Sequence, residues 1–437
     1  MSWLTRHRLK LYIRNSIWIL PVLNIFAGLL MVSVINRIDL ALGWQLSLKP
    51  DTARTVIGTV AASMFTLVVV ASSAVLVAVQ LGSAQLTPRI IQLVYRSRVR
   101  KFCVSAFVFT FTFSVGVLVR IDNSVPLLSS YLAAYGFLFN LALFLYFLDG
   151  VGKALRPSSA LQVVGKLGRE VVQSVYPSKF QAAQPLAQTP NGDQLSDASR
   201  VIHNEVDGVV LAFHLKGLTS LAERSNCVVE LLPEVGDFIA EGDPLFRLYG
   251  GGEELSADAL RSSVALGQER TLEQDPTFAF RIIVDIASKA LSPAINDPTT
   301  AVLAIDHIHH LLRDVGSRSL LDGTEHDKNG HLRLVYRTPK WEDFVHLAVT
   351  EIRQYGGDSI QVVRRLKAML DNLIEVLPEK RAPLLRLELS LLEATCKRMF
   401  VDLYDQSLAE TGDLQGIGGG DKKRRDYVEQ QGVSAIA

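Results

Sequence analysis

The chain has 437 residues, a formal charge of +1, 49% hydrophobic residues and 20% charged ones. So balanced a charge gives no electrostatic footprint for nucleic acid. The three cysteines, Cys103, Cys227 and Cys396, lie far apart without metal-ligand spacing, and their odd number argues against a disulfide framework.

In chain order, four apolar stretches come first, at about residues 16–36, 56–80, 102–121 and 125–148. Each meets the roughly 20 residues that a helix needs to cross the hydrocarbon core of a bilayer. The basic residues Arg6, Arg8, Lys10 and Arg14 ahead of the first stretch resemble the start of a signal peptide. The stretch is too long for one and no small-residue cleavage site follows, so we read an uncleaved first span. Lys and Arg concentrate before span one, between spans two and three (Arg89, Arg96, Arg98, Arg100, Lys101) and after span four (Lys153, Arg156, Lys166, Arg169). Such an excess marks the cytoplasmic side, so a multi-pass inner-membrane protein with both termini cytoplasmic is expected. The Asp122-Asn123-Ser124 turn is then an outer hairpin.

Span two carries Thr59, Ser63, Thr66, Ser73 and Gln80 in steps of four, three, seven and seven, which is one helical face. Such a line could border a water-filled path in a homo-oligomer, or let helices pack closely through small residues. No Asp, Glu, Lys, Arg or His lies deep in spans one to three, which weakens a proton-coupled mechanism. Residues 82–101 read as a basic amphipathic helix resting on anionic lipid headgroups.

Beyond the spans, the polar, proline-bearing stretch 177–199 reads as a linker. Short strands follow at 206–212, 228–232 and 244–248, with a helical turn between 217 and 225. The phrase Gly236-Asp237-Phe238-Ile239-Ala240-Glu241-Gly242-Asp243 suggests tight turns in which Gly236 and Gly242 adopt positive φ. It resembles the turns of biotinyl/lipoyl-like barrel-sandwich domains, but there is no lysine in the carrier position, so no cofactor is implied. From 254 to about 408 the pattern is helical, with Leu366, Leu370, Leu373 and Ile374 on one face and Leu384, Leu387 and Leu391 on the face of the next helix. The tail from 411 is glycine-rich and basic and reads as disordered.

The densest polar constellation is the stretch 267–302. Gln268, Arg270, Gln274 and Asp275 open it; Ser292, Asn296, Asp297, Thr299 and Thr300 close it after an apolar helix. Asp297 or Thr299 is placed to cap the helix that follows. The alternatives are a capped interhelical turn, or a ligand or ion site built from Arg270, Asp275, Asn296 and Asp297. His307, His309 and His310 are the only histidine cluster, and no second cluster with ligand spacing accompanies them. No complete catalytic motif is visible, so no catalytic or metal residue is assigned and an enzyme is not expected.

The phrases QERTLEQDPTFAFRIIVDIA and ALSPAINDPTTAV, with AVQLGSAQLTPR after span two and residues 233–248, resemble the signature of a bacterial membrane-protein family catalogued as domain of unknown function 2254. The resemblance runs from about Arg14 to Tyr404. It implies a multi-span topology with a cytosolic domain and no agreed activity.

The expected fold is thus a multi-span α-helical membrane protein: four transmembrane helices followed by a cytosolic α+β region, a small β-module plus a helical bundle. We divide it into a transmembrane domain (1–155), a connecting helix and linker (156–199), a barrel-sandwich-like β-module (200–250), a helical domain (251–410) and a disordered tail (411–437). The expected partners are the lipid bilayer, further copies of the chain and an ion or small-molecule ligand. The function readings are a homo-oligomeric channel or transport-related protein, and a membrane-anchored sensor or scaffold.

Overall fold

The computed structural model describes residues 3–90, 98–122, 124–180 and 198–418. Two compact units emerge, residues 10–160 and residues 1–9 with 161–437.

The first unit is built on four helices long and apolar enough to cross a membrane: α2 (Ile19–Leu42), α3 (Pro50–Gln85), α4 (Arg98–Leu118) and α5 (Leu127–Ala154). The preceding helix α1 (Trp3–Asn15) is shared between the two units. Each span is longer than its apolar stretch, or offset from it, because the helix continues through polar residues such as Arg37 and Asp39 that hydropathy alone excludes. At 36 residues, α3 is about 54 Å long, well beyond the roughly 30 Å hydrocarbon layer. Glycines set the closest helix approach. A Cβ on Gly116 would lie 2.7 Å from Val32 Cγ1, and one on Gly28 would lie 3.1 Å from the Phe109 carbonyl. Small residues serve this purpose in membranes, where no hydrophobic force draws helices together. The start of α5 is capped from α2: Asp39 Oδ1 accepts from the Leu128 amide (2.9 Å), and Oδ2 from the Ser129 amide (3.0 Å) and hydroxyl (2.7 Å). Placing the end of span one at residue 36 left this buried carboxylate out of the expected span.

Of the expected amphipathic helix 82–101, residues 82–85 end α3, Pro88–Ile90 form a 3₁₀ turn and α4 begins at Arg98. Its residues 91–97, and Asn123 of the expected hairpin, lie outside the described residues.

The second unit combines helices with two sheets. Helix α6 (Pro157–Val175) is more than a connection: Gly168 packs against Ala279 and Leu311, and Leu161, Val164 and Val172 are fully buried. Of the expected linker, Lys179 bridges to Arg318 and the Phe180 amide donates to Ser317; residues 181–197 lie outside the description. A five-stranded sheet has the order β1 (Arg200–His203), β5 (Pro244–Tyr249), β3 (Val228–Leu231), β8 (Leu332–Tyr336), β7 (Thr324–His326). A three-stranded sheet joins β4 (Phe238–Ile239), β2 (Gly208–Phe213) and β6 (Val264–Gly267). Helix α7 (Leu215–Arg224) follows β2. Gly236 and Gly242 take φ of 99° and 86°, as their turns require.

The stretch expected to be purely helical therefore supplies β6, β7 and β8. Strand β8 pairs parallel with β3, Val229 opposite Leu334, a long-range partnership that no local pattern announces. The remaining helices are α8 (Ala257–Arg261), α9 (Pro276–Ala290), α10 (Pro298–Gly316), α11 (Trp341–Tyr355), α12 (Ile360–Val376), α13 (Ala382–Met399) and α14 (Leu403–Ala409). Leu366, Leu370 and Leu373 face the core, as their spacing predicts. On α13 the expected stripe is displaced. Leu387 and Leu391 are exposed, while Leu385, Glu388 and Leu392 are buried. The reason is electrostatic: Glu388 is held inside by Arg353 Nε and His346 Nδ1, each at 3.3 Å. Nor is the whole tail loose. Arg364 donates to the Thr411 carbonyl, Gly412 packs on Ala368, and Asp413 accepts from the amides of Gln415 and Gly418. Residues 419–437 lie outside the described residues.

Candidate functional site

The polar line of span two can now be placed on its helix. The face of α3 that packs on α4 and α5 carries Ile57, Ala61, Met64, Ala71 and Ala78. Thr59, Thr66, Ser73 and Gln80 are exposed and Ser63 is half-buried, so the line lies on the side turned away from the bundle. Thr59 and Thr66 donate to the carbonyls of Thr55 (2.8 Å) and Ala62 (3.0 Å). These bonds let hydroxyls sit on an outward membrane face without an unsatisfied donor.

In the second unit the polar constellation separates into two places. Asp275 caps α9, accepting from the Phe278 amide (3.0 Å) and the Thr277 hydroxyl. Asp297 caps α10, accepting from the Thr300 amide (3.0 Å) and hydroxyl (2.6 Å). The same Asp-Pro-Thr phrase opens both helices: the aspartate caps and the proline fills a position whose N–H is not needed. Fifteen residues of α9 lie between the caps, about 22 Å. Arg270 and Asp275 therefore do not form one site with Asn296 and Asp297. Asn296 is exposed with φ of 48°, Ser292 donates to the Lys289 carbonyl, Thr299 is exposed and Thr300 is buried. This end is a capped turn.

The other end gathers more. Arg270 donates to Asp275 Oδ2 through Nε (2.8 Å) and Nη2 (2.7 Å), and to Thr277 Oγ1 (3.2 Å). Asp275 is only 2% exposed. Gly236 lies directly against the Arg270 guanidinium, where any Cβ would collide with it. The two phrases singled out in the sequence, around Gly236 and Arg270, thus meet. Gln274 fastens the junction to β2, donating to the Phe213 carbonyl and accepting from its amide. Arg337 reaches Asp237 Oδ2 at 3.4 Å, and that carboxylate also takes the Glu234 amide.

Four further groups lie here, Tyr176, Glu234, Tyr336 and Arg337, of which only Glu234 falls in a phrase the sequence singles out. Burial raises the Glu234 carboxyl to about 7; Arg337 opposes the rise, and Asp237, Asp343 and Asp275 add to it. Burial also raises the Tyr176 phenol, with the Thr338 hydroxyl opposing and Glu234, Asp275 and Asp343 adding. Tyr336 is buried, packs tilted against Phe213 with ring centroids 5.1 Å apart, and its hydroxyl has no hydrogen-bond partner. The junction thus holds a near-neutral carboxyl, two half-exposed or exposed guanidiniums and buried phenols, a mixture suited to binding a polar ligand.

Gln268 is exposed and lines a different feature, a cavity of about 430 Å³ bordered by Leu4, Arg8, Asn204, Asp207 and Arg261. The histidines of α10 serve packing and pairing. His309 Nδ1 accepts from Arg365 Nη2 (3.2 Å), so its Nε2–H donates to Asn372 Oδ1 (2.8 Å). Burial lowers His309; the Asn372 bond opposes this, while Arg365, His310 and Arg313 add to it, and the ring is neutral. Among the described residues no group of three or more His, Cys, Asp or Glu is placed to hold a metal ion.

Four apolar spanning helices ahead of a mixed helix-and-sheet unit define a membrane protein with a large polar domain. More particularly, the chain belongs to the family described as predicted membrane protein (DUF2254), which matches residues 14–372. Uncharacterised proteins of Mycobacterium bovis and Mycobacterium tuberculosis are each 26% identical to it over 431 residues, covering 93% of this chain and 81% of theirs. No solved structure matches it significantly.

Proposed function

We propose that the chain is a homo-oligomeric channel or transport-related protein of the inner membrane. Copies meet through the outward face of α3, and both termini and the mixed unit lie on the cytoplasmic side. One observation carries this reading: the polar line Thr59–Ser63–Thr66–Ser73–Gln80 faces away from the protomer's own core. Lipid gains nothing from such a line, whereas a shared axis between protomers would. The basic loops support the orientation, and the mixed unit would gate or organise the assembly. The test is cysteine cross-linking in lipid at Ser63 and Ser73, placed one at a time. Protomer–protomer cross-links at both sites are expected; their absence at both overturns the reading.

A second reading, a membrane-anchored sensor or scaffold, is favoured by the junction of Gly236, Arg270, Glu234 and Tyr336, whose polar groups exceed what capping α9 requires. Planar-bilayer recording under a voltage ramp separates the two. Unitary currents that vanish in Ser73→Trp support the channel. Silent bilayers from folded, cross-linkable protein favour the sensor.

A further inference from the structure

Inside the apolar unit, several hydroxyls satisfy themselves locally. Ser33, Thr59, Thr66, Ser72 and Thr112 each donate to the carbonyl four residues back, at 2.8–3.0 Å. Ser16 Oγ, Ser105 Oγ, Ser114 Oγ, Ser130 Oγ and Asn140 Oδ1 break this pattern, for each is buried and has no hydrogen-bond partner. Ser114 is 0% exposed, Asn140 1% and Ser130 6%. An unmet polar atom in a bundle surrounded by hydrocarbon is costly, and a buried polar atom of this kind is ordinarily met by an ordered water.

Ser114 lies on α4, and Ser130 and Asn140 on α5, which packs against it. On α4, Phe107, Thr110 and Ser114 follow one another at helical spacing. On α5 the facing stripe runs Ser130, Ala133, Gly136, Asn140. The two stripes meet where Asn140 Nδ2 donates to Thr110 Oγ1 (2.7 Å) and the Gly136 carbonyl (2.8 Å). Gly136 lets the two helices approach closely at their seam; a Cβ there would press on Thr110 Cγ2 at 3.3 Å. At the start of α5 the seam begins beside Ser129 and the Asp39 carboxylate. From Ser129 to Asn140 is about 16 Å, half the hydrocarbon thickness. Past Asn140 its character changes abruptly. Phe107, Phe144 and Phe147 touch one another with ring centroids 6.2–6.5 Å apart, and Cys103 lies buried with them.

We propose that the α4–α5 seam takes in a file of water molecules from the end at which α5 begins, as far as Asn140, and that the Phe107–Phe144–Phe147 triad closes it. The hydroxyls of Ser114 and Ser130 can donate and accept, and Asn140 Oδ1 accepts, so each can hold a water that bridges to its neighbour. This is a polar route within each protomer, separate from the α3 face and independent of assembly.

Hydrogen–deuterium exchange at single thiols, read by the infrared S–H band, tests it on the full chain in lipid. In a cysteine-free background, Ser114→Cys is expected to exchange in heavy water at least an order of magnitude faster than Val117→Cys, a fully buried site on the same helix. Equal protection of the two thiols would show a dry seam and overturn the proposal. The closure has its own reporter, native Cys103 with Cys227 and Cys396 replaced by alanine. Its thiol should stay protected, and should exchange once Phe147→Ala is added. Exchange of Cys103 with the triad intact would overturn the closure. Neither measurement depends on α3 cross-linking, so each idea fails separately.

Discussion

Glu388 and Asp39 are carboxylates buried to 1% and 3% exposure, one in each unit, and they are neutralised by different means. In the mixed unit Glu388 faces a guanidinium and an imidazole from the neighbouring helix α11. In the apolar unit Asp39 is held by the first amides and a hydroxyl of α5, whose N-terminal dipole supplies the compensating charge. A cationic partner would carry a second costly charge into the bilayer, whereas a helix terminus brings none. The contrast extends to neutral groups. Gln274 and Arg270 tie the junction together through long side chains reaching between segments. The apolar helices rely more on bonds within one turn, and buried polar atoms without a partner remain in both units.

Breaking the mixed unit's mode should cost most. Arg270→Ala strands the Asp275 carboxylate with only its α9 cap bonds, and about 3 kcal/mol of stability should be lost. Arg270→Lys keeps the charge without the fork and should recover part of it. Thermal unfolding followed by intrinsic fluorescence reads both; an unchanged midpoint for the alanine variant would mean that the pair is not what holds the junction. The apolar unit's counterpart is steric. Gly116→Val forces a side chain into Val32 and should cost about 2 kcal/mol, as overpacked cores do, visible as a lowered midpoint in detergent. Gly58→Val, at a position with open space around it, should not.

A smaller effect distinguishes the units by pH. The Glu234 carboxyl sits near 7 when folded against about 4.5 in an ordinary setting, so the fold favours its protonated form. Its contribution is best below about 4.5, declines as pH rises towards 7 and is flat above. Glu234→Gln should therefore stabilise the protein at pH 8 by about 1 kcal/mol, the side chain being partly solvated, and should flatten stability between pH 5 and 7. Stability curves of the two proteins at a series of pH values check it; parallel curves would place Glu234 in an ordinary environment.

How much of this was legible depends on whether the cause was local. The four apolar helices were, because a run of apolar residues needs no partner to be recognised; their ends were not, because Asp39 belongs to α2 only by virtue of the α5 amides it meets. Strands β3 and β5 were legible as short apolar runs, while β8 is defined by a parallel neighbour a hundred residues earlier. A cap at Asp297 or Thr299 could be read from Asn-Asp-Pro-Thr-Thr alone, and Asp297 fills it. The junction could not, since Tyr176, Gly236, Arg270 and Tyr336 come from four separate segments. On α13, periodicity chose the wrong face because a buried Glu388 is legible only once Arg353 and His346 are beside it.

The smallest effect bears on the outward face of α3. Thr59 and Thr66 each spend their hydroxyl proton on their own helix. Such a back-bond within one turn contributes little to helix stability and slightly favours bending. Thr59→Ala and Thr66→Ala should therefore change the unfolding midpoint of the solubilised monomer by an amount within about 0.5 kcal/mol. The same substitutions should still weaken self-association in lipid, because the hydroxyl lone pairs and the threonine shape are what the face offers a second copy. Energy transfer between labelled protomers, measured against protein-to-lipid ratio, separates these quantities. A loss of association without loss of fold assigns the face to assembly. A loss of fold with no change in association would mean that these threonines act within the protomer, although they are exposed on its surface.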